Sequence, residues 1–285
     1  MPESVVLPDF DSFGAQAIKG LEDPEAATAA TQALLKEDRN SGEPVISAPD
    51  ENHVTLERGV CREGTWYREA EVKELTGADE EAIAAAGSNS YKVFETLLLR
   101  GVRTVGNEPM SRKLAAELLI GDRELLVMSV RRATFGEAIE FTELPCPYCK
   151  ELTDLTVPLG AIPFTHLADP EQTEFEVPLR HRAVAFVRLP TGEDQAAVFA
   201  IKDGNGAKQD SEILNRCVLR VRQGDGTVIK RPPATHLWMG DRKAILKFLT
   251  DTQPGPRYNA FAFTHETCGE EVELPIDLAM LFRGV

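Results

Sequence analysis

Pro145-Cys146-Pro147-Tyr148-Cys149 sets two thiols three positions apart inside a proline-constrained turn. Two thiolates at that spacing can reach one ion, and a tight turn also aims backbone N–H groups at the sulfurs, which favours the thiolate form. By itself Cys-x-x-Cys is half of a tetrahedral site. The matching half lies far along the chain, where His265-Glu266-Thr267-Cys268 offers an imidazole and a thiol at the same spacing, with Gly269 placed for the reversal that such a knuckle needs.

Working outward from these two stretches, the chain repeats itself. Asp122 of Gly121-Asp122-Arg123 precedes Cys146 by 24 residues and Cys149 by 27, and Asp241 of Gly240-Asp241-Arg242 precedes His265 and Cys268 by the same 24 and 27. The offset is 119 throughout. Further upstream, Thr76-Gly77-Ala78-Asp79-Glu80 faces Thr191-Gly192-Glu193-Asp194-Gln195 at an offset of 115, and Leu99-Arg100 faces Leu219-Arg220 at 120. Loop insertions in a duplicated chain leave such a drift with the order intact.

The expectation is an α+β fold of two tandem similar lobes, 54–165 and 166–285, each made of helices followed by a β-hairpin knuckle. A strand is predicted over Thr65–Leu75 and another over Arg182–Leu189. In each lobe Thr-Gly-x-Asp then starts a helix, since a Thr or Asp side chain can take up the free first-turn N–H groups. A second helix carries Val93, Leu97 and Leu98 in one lobe and Ile213, Leu214 and Val218 in the other. A third surrounds each Gly-Asp-Arg, whose Asp is read as a helix cap and whose Arg is read as a bridge to the other lobe. The hairpins span Glu137–Phe141 with Leu152–Leu159, and Tyr258–Phe263 with Val272–Ile276. Meeting of the two knuckles predicts one closed structural zinc site of Cys146, Cys149, His265 and Cys268. Four protein ligands leave no place for a reactive water.

Residues 1–53 read as an arm and linker. Ala17–Lys36 is alanine-rich, and Glu37–Asn52 is polar with Gly42, Pro44 and Pro49. Such a segment reads as a mobile arm, or as one that orders on a partner surface.

Composition narrows the function classes. The 285 residues carry 31 Lys plus Arg against 46 Asp plus Glu, a net charge of −15. That field repels phosphate and argues against nucleic acid as a partner. No apolar run reaches the roughly 18 residues of a membrane span, so no membrane partner is expected. Met1–Gly20 lacks the basic-then-apolar pattern of an export signal. With five cysteines, reduced thiols or a metal site in the cytoplasm fit better than a disulfide scaffold.

Two enzymatic readings compete for the Cys-x-x-Cys. Cys146-Pro147-Tyr148-Cys149 is the tetrapeptide of glutaredoxin sites, but that chemistry needs a helix N-terminus at the first thiol. Leu152, Thr153, Leu155, Thr156 and Val157 read as a strand instead. A zinc deaminase needs an upstream Cys/His-x-Glu on a helix. Cys61-Arg62-Glu63 has the letters but lies between Gly59 and Gly64. Cys61 reads as a surface thiol and Cys217 as a core residue. His53, His166, His181 and His236 have no partner spacing, and Trp66 and Trp238 read as core or edge aromatics. A zinc-ribbon adaptor in a cytoplasmic complex remains the alternative of another class.

The combined motifs resemble a known family. Leu75–Glu81, Leu97–Val102, Leu119–Val127 and Phe141–Leu159, with Leu189-Pro190-Thr191-Gly192-Glu193-Asp194-Gln195 in the second half, are similar to the baseplate hub assembly proteins of contractile-tailed phages and contractile injection systems. The resemblance covers about 65–285. It implies a non-enzymatic structural or assembly role in a tail or injection particle, beside other baseplate, hub or tube proteins, with zinc as a structural ion. His265 departs from the symmetric four-cysteine pattern.

Overall fold

The computed structural model describes residues 52–201, 205–258, 261–276 and 278–282. The expected arm over 1–53 lies outside them except for its last two residues, which already lead into a strand. Residues 50–285 form one compact unit.

Two four-stranded antiparallel sheets organise this unit. The first has the order β1 (His53–Arg62), β2 (Thr65–Val72), β3 (Val102–Val105), β4 (Glu108–Pro109). Between β2 and β3 the chain makes helices α1 (Gly77–Ala85) and α2 (Ser90–Gly101). After β4 come the short α3 (Arg112–Glu117), the long α4 (Ile120–Phe135) and the hairpin β5 (Ala138–Pro145) and β6 (Leu152–Pro158). A two-residue strand β7 (Phe164–Thr165) leads to the second sheet. Its order is β8 (Phe175–Pro178), β9 (Val184–Val187), β10 (Val218–Arg222), β11 (Val228–Lys230), again with two helices, α5 (Gly192–Phe199) and α6 (Gly206–Cys217), between the second and third strands. A single helical turn at Ala234–His236 stands where α3 stood. The long α7 (Met239–Thr252), the short β12 (Gly255–Pro256), the hairpin β13 (Ala262–Thr264) and β14 (Glu271–Glu273), and α8 (Leu278–Leu281) complete the chain.

Local chemistry explains the matched helix starts. Thr76 and Thr191 each close a capping box with the aspartate three residues on, Asp79 and Asp194. Asn89 and Asn205 cap α2 and α6 by accepting the N–H of Lys92 and Lys208. Both capping aspartates are buried beside cations: Asp79 has Lys73 at 3.6 Å and Arg100 at 3.7 Å, and Asp194 has Arg188 at 2.6 Å and Arg216 at 3.5 Å. Arg100 and Arg216 occupy the last turns of α2 and α6. The pairing of Leu99-Arg100 with Leu219-Arg220 is therefore one helical turn out of register, because Arg220 lies in β10.

The sequence reading missed β1. It pairs with β2 across an irregularity between Thr55 and Val60. That bulge defines what the first Gly-Asp-Arg does. Asp122 is fully buried, and its carboxylate accepts the N–H groups of Glu57 at 2.7 Å, Arg58 at 3.2 Å and Gly59 at 2.9 Å. It caps a strand bulge and not a helix. Gly59 is required there: its φ is 70°, and a Cβ would meet the Tyr67 carbonyl oxygen at 2.0 Å. Asp241 does the same work on a smaller scale, accepting the Arg180 N–H at 3.2 Å and its Nε at 3.1 Å. The bridging role expected of the arginines holds for Arg123, whose Nη1 donates to Gln195. It fails for Arg242, which donates to Ala234, Ala207 and Ser211 of its own half.

Two hydrophobic cores lie against the two sheets. The first gathers residues such as Leu56, Leu97, Leu126, Phe141 and Val157. The second gathers Val177, Val187, Leu214, Ile245 and Leu249, among others. Contacts run across the expected boundary at 165/166. Phe261, Leu274, Ile276 and Leu281 pack into the first core, and β12 pairs with β7. The second hairpin is thus carried away from the second sheet to meet the first hairpin. Trp238, expected in a core or edge, is 68% exposed. Among the described residues no helix is long and apolar enough to cross a membrane.

Candidate metal centre

The two hairpins end in turns with the same hydrogen-bond pattern. The Cys146 N–H donates to the Glu151 carbonyl at 2.9 Å, and the His265 N–H donates to the Glu270 carbonyl at 2.9 Å. The Lys150 N–H returns to the Cys146 carbonyl at 3.0 Å, and the Gly269 N–H to the His265 carbonyl at 2.7 Å. The fifth position of each turn has a left-handed backbone, with φ of 67° at Lys150 and 73° at Gly269. Glycine adopts that conformation freely, whereas Lys150 holds it at some cost.

The turns face one another. One donor atom from each of Cys146, Cys149, His265 and Cys268 lies within 4.8 Å of all the others. The Cys146 and Cys268 sulfurs are 3.8 Å apart, the Cys149 sulfur and His265 Nδ1 are 3.5 Å apart, and His265 Nδ1 is 3.2 Å from the Cys268 sulfur. A tetrahedron with zinc–sulfur bonds of ~2.3 Å has edges of about 3.8 Å, and its sulfur–nitrogen edges are shorter. A disulfide would need sulfurs about 2.05 Å apart. The spacing fits four donors around one small ion and not a disulfide, and the cysteines are free thiols.

Electrostatics agrees with a site built for a cation. Cys146 and His265 are buried, and Cys149 and Cys268 are half-buried. Burial opposes ionisation of Cys146, yet the N–H groups of Cys149 and Tyr148, aimed at its sulfur, hold its thiol below the ordinary value. At Cys149 the Glu151 N–H favours the thiolate, but burial and the sulfurs of Cys146 and Cys268 push it the other way. Three sulfurs so close cannot all ionise unless a cation sits among them. These four side chains could hold a metal ion.

The competing chemistries do not fit the surroundings. Cys149 is followed by β6, so no helix dipole supports a redox thiolate. Cys61 is the ninth residue of strand β1 and not on a helix, and it is exposed. Cys217 is fully buried, with its thiol pushed up to about 12 by desolvation. His166 has a partner that spacing did not suggest, the Glu57 carboxylate at 2.9 Å from Nδ1.

One further concave feature, missed from the sequence, is a cavity of about 200 Å³ lined by Tyr91, Phe94, Glu124, Phe199 and Tyr258. Desolvation there pushes the Glu124 carboxyl from 4.5 up to about 7, against the pull of Arg257 and Arg123. Folding then takes up a proton between those two values, so Glu124 lowers stability as pH rises from 4.5 through about 7. Glu124→Gln is expected to unfold like the parent at pH ~4 and to be more stable at pH ~8, by at most about 3 kcal/mol. Urea denaturation at the two pH values reads this directly; an equal effect at both would contradict it.

These observations define a class: a mixed helix-and-strand protein of several small sheets, with a four-donor cluster clasping two hairpin turns. The family model described as T4 bacteriophage base plate protein matches residues 65–234, more than half of the chain. The chain belongs to that family of baseplate proteins of contractile-tailed phages. The match covers both four-stranded sheets apart from β1 and includes Cys146 and Cys149, but it ends before His265 and Cys268. No curated protein and no solved structure matches the chain.

Proposed function

We propose that this protein is a structural or assembly component of the baseplate hub of a contractile tail or injection particle. Membership of the base plate family carries the assignment. In this reading the protein has two tandem similar lobes, 54–165 and 166–285, pinned by a structural zinc ion on Cys146, Cys149, His265 and Cys268. The shared strand order, the paired capping boxes and the matched knuckles support the duplication. The soft thiolate-rich donor set and the tetrahedral spacing support zinc. With all four positions filled by protein, the ion holds structure and performs no chemistry, and the role is non-enzymatic.

The partners are other baseplate, hub or tube proteins. A net charge of −15 favours basic or neutral faces on them. Residues 1–53 serve as an arm that engages a neighbouring subunit. The protein is made in the cytoplasm and is built into the particle there. Quantitative mass spectrometry of purified particles tests this: the chain is expected at a fixed ratio to the tube protein. Its absence from particles, with its presence in the cytoplasm, would replace the structural role by that of a transient helper.

A further inference from the structure

The joint between the two halves is built from unlike surfaces, and each half carries both of them. In the joint, the segment entering α4 meets the segment entering α5. Leu119 forms an antiparallel bridge with Thr191. The Ile120 N–H donates to the Pro190 carbonyl at 3.2 Å, and the Gly192 N–H donates to the Leu118 carbonyl at 2.9 Å. Both N–H groups belong to first turns, where no helical carbonyl can satisfy them. The approach is too close for side chains. A Cβ on Gly121 would meet the Pro254 carbonyl oxygen at 1.5 Å, and one on Gly192 would meet the Ala115 carbonyl oxygen at 2.5 Å.

Each surface of this joint has a counterpart in the other half of the chain. The offset of 119 places Leu237-Trp238-Met239-Gly240 where Leu118-Leu119-Ile120-Gly121 stands. The backbone agrees: the residues before α4 and α7, Leu119 and Trp238, have φ, ψ of −58°, 150° and −61°, 143°. The offset of 115 places Leu75-Thr76-Gly77 where Pro190-Thr191-Gly192 stands. In the joint Leu119 is 2% exposed, whereas its counterpart Trp238 is 68% exposed and the adjacent Met239 is 77% exposed. Among the counterpart glycines, Gly240 faces the Arg180 guanidinium, whose Cζ lies 3.1 Å from where a Cβ would be. That group is the far end of a flexible side chain, which docking has to displace. A Cβ on Gly77, or on Gly136 at the position of Gly255, would meet no atom within 4 Å. The left-handed φ of 83° explains Gly136. Gly77 has no such reason, since a helix N-terminal position accepts any residue other than for space. Its open position leaves room for a contact from outside the chain.

We infer that a second copy of this chain supplies that contact: the Leu237–Gly240 end of one molecule docks on the Leu75–Gly77 end of the next, repeating head to tail the joint between Leu118–Gly121 and Pro190–Gly192. The inference rests on the duplicated-lobe reading. Exposed charge differs between the two ends, with Lys73 and Arg100 held by Asp79 at the Leu75–Gly77 end. Arg123 donates to Gln195 across the joint. The corresponding positions across copies are Glu80 and Arg242, and the Arg242 guanidinium already donates to Ala234, Ala207 and Ser211 of its own half. Exposed Lys243 and Arg231 flank the first end, and exposed Glu74 and Glu81 flank the second. Trp238 is the residue type that anchors such interfaces. Unlike surfaces give a heterologous contact, which yields rings or filaments and not a two-fold dimer.

The test uses two variants of the full chain, each exposed at the changed position and each blocking one end. Sedimentation velocity at about 0.15 M salt, where net repulsion is screened beyond ~8 Å, is run on the parent, on Trp238→Glu, on Gly77→Arg and on an equimolar mixture of the two. The parent is expected to gain mass with concentration. Each variant alone stays monomeric, and the mixture doubles in mass and grows no further, because one intact head meets one intact tail. A parent that stays monomeric, variants that associate alone, or a mixture that stays monomeric overturns the inference. Gly192→Val separates this from the underlying reading. It is expected to melt well below the parent as a monomer. If it does while the mixture stays monomeric, only self-docking fails. If it melts with the parent, the joint is not the close contact described and the duplicated reading fails as well.

Discussion

Cys268→Ser is expected to abolish stoichiometric zinc binding and to cost the molecule most of its cooperative stability. Structural zinc in small knuckles contributes about 10–16 kcal/mol at neutral pH, comparable to the whole stability of an ordinary domain. A serine hydroxyl is a hard, protonated donor and does not replace a thiolate. Losing one ligand leaves Cys146, Cys149 and His265 crowded without a cation, two of them already buried. The hairpin β13–β14 should then detach, and Phe261, Leu274 and Ile276, which it brings to the first core, should become accessible. Metal analysis, thermal melting and hydrogen exchange over 261–276 read the three effects. A strong chelator should reproduce them in the parent. His265→Cys, which keeps four ligands, should retain zinc. Unchanged melting on chelation would mean that the hairpins hold without an ion.

Asp122→Ala should be the most damaging substitution outside the cluster. It removes an acceptor from three backbone N–H groups in a site that water does not reach. An unsatisfied buried donor costs about 1–3 kcal/mol, and relaxation of the bulge will recover part of the sum, so the expected loss is about 3–5 kcal/mol. Asp122→Asn keeps one oxygen and should lose less. Asp241→Ala should lose least, since Asp241 serves one backbone N–H and the half-exposed Arg180 side chain. Urea unfolding of the three variants gives the order. A cost for Asp122→Ala no greater than that of Asp241→Ala would show that the bulge is not held by this carboxylate.

The parts of the molecule legible in the sequence are those where chemistry fixes spacing. Ligation needs two donors three positions apart on a turn, and the structure brings together the four residues that spacing selected. A capping box needs Thr and Asp three apart, and both helix starts follow from it. What stayed hidden depends on contacts distant in sequence. Strand β1 carries Glu57 and Arg58 at positions that are buried, so its alternation is broken, and only Asp122, 65 residues away from Glu57, makes the bulge stable. The second hairpin's departure to the first core follows from the meeting of the knuckles and has no local signal. Trp238 looks like a core residue to any reading by type, because exposure is decided by what lies opposite, and nothing in its own segment records that.

The central claim is that one ion clasps a turn from each half of the chain. X-ray absorption at the zinc edge of the purified full-length protein tests it most directly. The account predicts one zinc per chain with three sulfurs at about 2.3 Å and one nitrogen at about 2.0 Å. A chain purified without metal, or a metal surrounded mainly by oxygen, would contradict it.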